Sequence, residues 1–241
     1  MTRPGELRIC VNGETLLLDK SGAAFWPAQS TLIVADLHFE KGSSYARRGA
    51  LLPPYDTRAS LKRLADLAAR HAPKRVIALG DSFHDKDAAA RLDAEERAAL
   101  ATLAGRAEWI WVEGNHDPEP PSWLGGRVEA EIALGLLLFR HVPSGQKGEV
   151  AGHLHPAMLV RRNGLGVRRR CFVSDGAKLL LPAFGAYAGG LDVGDAAIVS
   201  LFAGGFEVFA LGRDRVYLVH RRKKSEESQP SSTARMTVDN P

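Results

Sequence analysis

Nine polar side chains stand where apolar runs of the chain stop: Asp36, His38, Asp81, Asn115, His116, Asp117, His141, His153 and His155. Nitrogen and oxygen donors with no thiolate among them suit borderline or hard divalent ions such as manganese, iron or zinc. A mixed carboxylate, amide and imidazole set of this size exceeds the needs of one ion, so the residue types point to two ions sharing a carboxylate. Two ions about 3.5–4 Å apart can lower the pKa of a bound water and clamp the oxygens of a reacting group.

Taken singly, each motif has a plainer explanation. An aspartate at a strand end often caps a turn, "GNHD" suits a turn in which Gly and Asn accept unusual backbone angles, and "GHLH" fits a partly exposed strand. Five motifs in order, each at the end of an expected strand, would require those explanations to coincide independently.

The apolar pattern shows the elements that must carry these residues. "ELRICV" and "ETLLLD" flank Asn12-Gly13, a hairpin signal. "TLIVA", Thr31 to Ala35, reads as a short buried strand with Asp36 and His38 at its C-terminal lip; residues i and i+2 of an extended segment point the same way, so the two can converge. "DTRASLKRLADLAARHA" places Leu61, Leu64, Leu67 and Ala68 at helical spacing, with Asp56 or Thr57 as N-cap. "RVIALGD" is a second buried strand ending at Asp81, "DAEERAALATLAG" a second helix with an acidic first turn, and "EWIWVEGNHD" a third strand running into Asn115. This alternation indicates parallel βαβ units, whose ligands sit beyond the carboxyl ends of the strands.

From about Val128 short strands dominate: "VEAEIA", "GLLLFRHV", "EVAGHLH", "RRRCFVS", "AIVSLF", "FEVFAL" and "RVYLVH", with glycine-rich turns such as "GAYAGGLDVGD" between them. The expected fold is a single α/β domain over residues 1 to 220 with two packed sheets.

Bulk properties set limits. At 241 residues and 45% hydrophobic, the chain can bury a large core. The formal net charge is +4, but the tail from Arg221 sets five basic residues against Glu226, Glu227 and Asp239, which leaves +2 for residues 1 to 220. Composition alone therefore does not argue nucleic-acid binding. The tail, "RRKKSEESQPSSTARMTVDNP", has no hydrophobic period and reads as disordered. Cys10 and Cys171 form no CxxC and read as core thiols in a reducing cytoplasm. "MTRPGELRIC" lacks an apolar leader core, and apolar stretches such as Ile132 to Phe139 are too short to span a bilayer, so a soluble cytoplasmic protein is expected.

The series D-x-H, G-D, G-N-H-D, a lone His and G-H-x-H resembles the motifs of calcineurin-like metallophosphoesterases. "DLHFEKGSSYARRGALLPPYDTRASLKRL", "GDSFHD" and "LPAFGAYAGGLDVGD" resemble the bacterial DNA-ligase-associated branch of that family, over roughly Ala35 to Asp195. The resemblance implies a four-layer α-β-β-α sandwich of two packed mixed sheets flanked by helices. It implies that Asp36, His38 and His155 bind the first metal, that Asp81 bridges, and that Asn115, His141 and His153 bind the second, a water or hydroxide completing the bridge. His116, paired with Asp117, would sit over the substrate phosphate and assist the leaving group as the bridging hydroxide attacks in line. The implied cofactors are two divalent ions, manganese before iron or zinc. The implied activity is a phosphodiesterase acting on DNA in repair, with ligase or helicase partners and no membrane. His141 departs from the pattern, lying in "FRHVP" where many members have Gly-His or His-His.

Other residues carry two readings each. His84 in "GDSFHD" fits a substrate contact or loop packing, and Lys41, Arg47 and Arg48 fit flanking phosphates or a solvated helix face. Gly185, Tyr187, Gly189 and Gly190 read as turn positions that need positive φ, and Tyr187 could also reach the site. His71 at a helix C-terminus reads as dipole-stabilising, and His220 as solvated. "RRNGLGVRRR" reads as a basic hairpin with an Asn-Gly turn or as a nucleic-acid contact strip. Two further functional readings stay open: a phosphomonoesterase or nucleotide hydrolase with the same metals, and a non-catalytic module that docks on a ligase or helicase.

Overall fold

A computed structural model describes residues 4–50, 52–53, 55–116, 121–162 and 165–219. Asp117, Asn163, Gly164, His220 and the tail from Arg221 lie outside the described residues.

The chain opens as the antiparallel pair β1 (Glu6–Val11) and β2 (Glu14–Asp19), joined at Asn12 and Gly13 with φ of 48° and 87°. Positive φ at both turn positions is what an Asn-Gly hairpin supplies. There follow β3 (Ala24–Trp26), β4 (Thr31–Ala35), α1 (Lys41–Arg47), α2 (Asp56–His71), β5 (Arg75–Leu79), α3 (Ala88–Arg91), α4 (Ala94–Ala104), β6 (Glu108–Val112) and β7 (Arg127–Glu129). These strands form one sheet in sequence order, parallel from β4 to β7.

The second half adds β8 (Glu131–Leu134), β9 (Leu137–Arg140), β10 (Glu149–Ala151), β11 (Ala157–Arg162), β12 (Leu165–Ser174), β13 (Leu179–Leu180), α5 (Ala196–Val199), β14 (Glu207–Leu211) and β15 (Val216–Val219). Its sheet runs β15-β14-β12-β13-β10-β9-β8, with β11 paired to β12.

Alternation along the central strands fixes the layers. Ile33 and Ala35 of β4, Ile77 and Leu79 of β5, and Ile110 and Val112 of β6 face the second sheet and pack on Phe139, Val150, Phe172 and Phe209. Leu32, Val34, Val76, Ala78, Trp109 and Trp111 face the other way, against Leu61, Leu64 and Leu67 of α2 and Leu100 and Leu103 of α4. Both faces are buried, which is why these strands are continuous apolar runs. Each fully buried large apolar side chain contributes about 1.5–3 kcal/mol. The outer face of the second sheet is covered by Val193, Ile198 and Phe202. The sandwich therefore has two mixed sheets, a helical layer on the first and a thin layer, with α5 as its helix, on the second.

Four expectations are corrected. "VEAEIA" is not one strand: Val128 and Glu129 belong to β7 in the first sheet and Glu131 opens β8 in the second, because Arg127–Glu129 pairs with the edge of β6 while Glu131–Leu134 folds back on β9. "AIVSLF" is helical at its start, where the Asp195 carboxylate accepts the Ala197 N–H at 2.9 Å and Ile198 and Phe202, one turn apart, are buried together. Tyr55, not Asp56 or Thr57, occupies the N-cap of α2. The Asp56 carboxylate instead accepts the Gly42 N–H at 3.0 Å, and the Thr57 hydroxyl accepts the Glu40 N–H and donates to Glu40 Oε1, both at 2.9 Å. These side chains hold the start of α1, and with it the loop leaving His38. Finally, Cys10 is exposed on β1, where alternation turns it outward with Arg8, while Cys171 is buried.

No helix among the described residues is long and apolar enough to cross a membrane.

Candidate metal centre

The carboxyl ends of β4, β5 and β6 meet the loops after β9 and β10 at one place. His155 Nε2 lies 3.2 Å from Asp36 Oδ1 and 3.4 Å from His38 Nε2. Beside this trio, His141 Nε2 lies 3.5 Å from Asp81 Oδ1, 3.2 Å from His153 Nδ1 and 2.8 Å from Asn115 Oδ1. Within each of the groups Asp36-His38-His155 and Asp81-His141-His153 the candidate ligand atoms are within 4.8 Å of one another. Asp81 stands between them, its Oδ2 4.0 Å from His38 Nε2 and its Oδ1 turned to His141.

The pleat does not bring Asp36 and His38 together. Both are left-handed, with φ of 53° and 45°, as are Asp81 (46°), His153 (69°) and His155 (46°). Asp and His accept this region better than bulkier residues, yet each instance still costs about 1–3 kcal/mol and persists only where its surroundings impose it. Here the His38 N–H donates to the Asp81 carbonyl at 2.9 Å and the Phe39 N–H to Ser82 at 2.9 Å, so the loop after β4 is laced to the loop after β5. The His116 N–H donates to Asp81 Oδ1 at 3.0 Å and the His153 N–H to Asp36 Oδ2 at 3.0 Å.

The ring orientations test whether cations fit. His141 Nδ1 lies 2.9 Å from the Leu79 carbonyl and His155 Nδ1 3.2 Å from the Gly189 carbonyl. A carbonyl only accepts, so in each neutral ring the proton sits on Nδ1 and Nε2 turns a lone pair inward. His155 Nε2 then faces the Asp36 carboxylate, and His141 Nε2 faces Asp81 and Asn115, acceptor against acceptor. A divalent cation in each cluster resolves both conflicts, and the N/O donor set suits one. Burial pushes the His38 pKa well below its ordinary value, so this ring stays neutral and ligand-competent. Burial opposes charge on His141, but the carboxylates of Asp81 and Asp36 outweigh it and raise its pKa. A proton is thus the competitor of a metal at that position.

The family model for calcineurin-like phosphoesterases matches residues 30–170, more than half the chain. The chain belongs to that family. As a calcineurin-like phosphoesterase it is a metal-dependent phosphoester hydrolase. The crystal structure of Pseudomonas putida nuclease MPE is similar to it, with a TM-score of 0.70 and 29% sequence identity over 89% of this chain and 100% of that one. YfcE, a phosphoesterase from E. coli, aligns over 78% of this chain and 97% of its own at 13% identity, with a TM-score of 0.39. No curated protein matches the chain.

In this calcineurin-like phosphoesterase His116 is exposed at the rim, its Nε2 3.8 Å from Asp81 Oδ2. Its ring stacks on His84 at 5.6 Å and meets His38 edge-on at 5.6 Å. Asp117, the expected partner of His116, falls outside the described residues. His84 is half-buried, and burial lowers its pKa to about 4. Its backbone N–H donates to the Phe39 carbonyl at 3.0 Å, so it packs the loop and faces the site at once. Lys41 is buried rather than solvated, and burial lowers its pKa against the pull of Asp56, Asp36 and Asp81. Arg47 and Arg48 are exposed. The Tyr187 hydroxyl donates to the Pro53 carbonyl at 3.0 Å, which ties its loop to the chain after α1. His71 lies away from the centre, its Nε2 3.2 Å from Glu6 Oε1 and its ring stacked on Phe25. β11 and β12 form the basic hairpin, Arg162 opposite Leu165, with the Asn163-Gly164 turn outside the described residues.

The "FGAYAGG" glycines correct a further expectation: of Gly185, Tyr187, Gly189 and Gly190, Tyr187 alone has positive φ, at 57°. Gly185 and Gly190 are needed for close approach instead. A Cβ on Gly185 would overlap the Leu37 carbonyl, and one on Gly190 the His155 carbonyl. This loop is pressed against both loops that carry the first candidate cluster, and the Gly185 N–H donates to the Asp36 carbonyl at 3.0 Å.

Proposed function

We propose that this calcineurin-like phosphoesterase hydrolyses phosphodiesters, with the DNA backbone as substrate. One ion would be held by Asp36, His38 and His155 and a second by Asn115, His141 and His153, with Asp81 shared between them. The observation that supports this reading is the convergence of carboxylate and imidazole side chains in two groups with one Asp81 oxygen turned to each. Such ions, when bound, neutralise phosphate oxygens and lower the pKa of water. Imidazoles and an amide add donors without the negative charge that would repel an anionic substrate.

His116, exposed with its Nε2 3.8 Å from Asp81 Oδ2, gives a proton to the leaving oxygen, and Asp117 is its partner in that role. A positioned imidazole of this kind contributes about 10²–10⁴-fold. Arg48 and Lys41 supply positive charge and His84 a ring face to the substrate phosphate and its neighbours, while Tyr187 ties its loop to the chain after α1. Nuclease MPE supports the diesterase reading, being similar over its whole length. The branch resemblance supports a repair setting with ligase or helicase partners, and manganese as the native ion. Two unpaired cysteines suit a reducing cytoplasm.

The test compares a bis-aryl phosphodiester with an aryl phosphomonoester, using manganese-loaded protein. Faster diester turnover is expected. Preference for the monoester would move the function to a phosphatase or nucleotide hydrolase, and bound metal with no turnover on any phosphoester would leave an interaction module.

A further inference from the structure

Across the Ala183-Phe184-Gly185 segment from the metal centre lies a pocket of about 270 Å³, lined by the turn after β2, one side of α2, Arg170 of β12 and the turn between β14 and β15. A liquid water takes about 30 Å³, so there is room for an oxyanion with solvent. We propose that this pocket, in which Arg63 and Arg170 stand behind Lys20 and Arg213 at the mouth while Arg70 is paired with Asp19, is a second anion site that takes a phosphate-type oxyanion. It goes beyond the metal-centre reading and does not depend on it.

Two half-buried guanidinium groups face the same carbonyl. Arg63 Nη2 donates to the Phe184 oxygen at 2.7 Å, and Arg170 Nη1 donates to it at 3.2 Å and to Ala183 at 2.6 Å. Among the described residues neither arginine makes an ion pair with a carboxylate. The Arg63 Nε is enclosed and has no acceptor among the described residues. Burial, with Arg63 as a like-charged neighbour, lowers the Arg170 pKa to about 10.

The carboxylates nearby do not neutralise the pair. Asp19 is engaged by Arg70 at 2.6 Å and by the Ser21 N–H at 2.8 Å, and Asp66 is exposed at the rim. Lys20 and Arg213 are exposed at the same mouth and add positive charge. Like charges held without a counter-ion are unfavourable, and a planar guanidinium fork matches a phosphate oxygen pair. The oxyanion has two sources, free phosphate and the backbone of a DNA strand, and the same atoms would bind either.

The test titrates the full chain, loaded with a diamagnetic divalent ion, with inorganic phosphate while following the arginine Nε–Hε resonances. Arg63 and Arg170 should shift saturably. Lys20→Ala combined with Arg213→Ala should weaken the apparent Kd about three- to tenfold, as removal of two rim charges does. Arg170→Met should abolish the shift at Arg63; should that variant not fold, the rim double variant and the native titration decide. A single-stranded oligonucleotide that moves the same resonances in competition with phosphate identifies the strand backbone as ligand, whereas movement by phosphate alone identifies the free anion. No saturable shift at Arg63, or one unaltered in the rim double variant, overturns the proposal. The readout is not activity, so failure here is separate from failure of the diesterase reading.

Discussion

The Nδ1 of His155 lies 3.2 Å from the carbonyl oxygen of Gly189, a contact that turns Nε2 toward Asp36. The next residue, Gly190, leaves no space for a Cβ beside the His155 carbonyl. Gly190→Ala should therefore displace His155 and weaken metal at the first cluster by about 10–100-fold, the usual cost of disturbing a ligand's support. Calorimetric metal titration with circular dichroism as a folding control measures it. Native affinity in the variant would show that the contact does not position the ligand.

His116→Ala should keep its metal and lose about 10²–10⁴-fold in turnover on an alkyl phosphodiester, with a smaller loss on an aryl diester whose leaving group needs no proton. Equal losses on both would remove the proton-donor role.

Arg91 forks onto Asp85, Nη1 to Oδ1 and Nη2 to Oδ2, both at 2.8 Å, and these bonds hold the Asp85 carboxyl down to about 2. A carboxyl depressed in this way stabilises the fold above its unfolded value, about 3.9, and the contribution is lost as pH falls through the folded one. The gap in urea midpoint between native protein and Asp85→Asn should be full at neutral pH and narrow steadily as pH drops below about 4. A gap independent of pH would mean that the pair stabilises by shape rather than charge.

Burial pushes the Cys171 thiol far above its ordinary value, while Cys10 is exposed. An aromatic disulfide reagent should titrate one thiol rapidly in the native protein and the second only on unfolding, since the thiolate is the reactive form. Two rapid thiols would contradict the burial of Cys171.

The strands that carry the centre were legible because both of their faces are buried: Ile33 and Leu32 point into different cores, so after Thr31 the strand "TLIVA" is a continuous apolar run. The candidate ligands were legible for the same reason, as polar residues ending such runs stand out. Backbone conformation was not. Nothing in the letters D-x-H or H-x-H separates a pleated pair from two left-handed residues, and the hydrogen bonds that impose φ of 53° and 45° on Asp36 and His38 come from loops remote in sequence. "AIVSLF" looks extended because it is β-branched, and only the Asp195 cap and the joint burial of Ile198 and Phe202 make it turn. Composition marks Gly185 and Gly190 as turn residues, but their use is set by the Leu37 and His155 carbonyls, which the sequence does not place beside them. Asp56 and Thr57 have the chemistry of an N-cap and are engaged by Gly42 and Glu40 instead.

Metal analysis of the purified chain, native and Asp81→Asn, after reconstitution with manganese and removal of free ion, bears most directly on the two-ion centre. Two ions per chain are expected in the native protein. The variant should retain at most one and lose about 10²-fold or more in diester turnover, in line with the removal of one strong electrostatic contact at a reacting phosphate. A single ion in the native protein, or two ions and unchanged turnover in Asp81→Asn, would contradict an Asp81 carboxylate that serves both clusters.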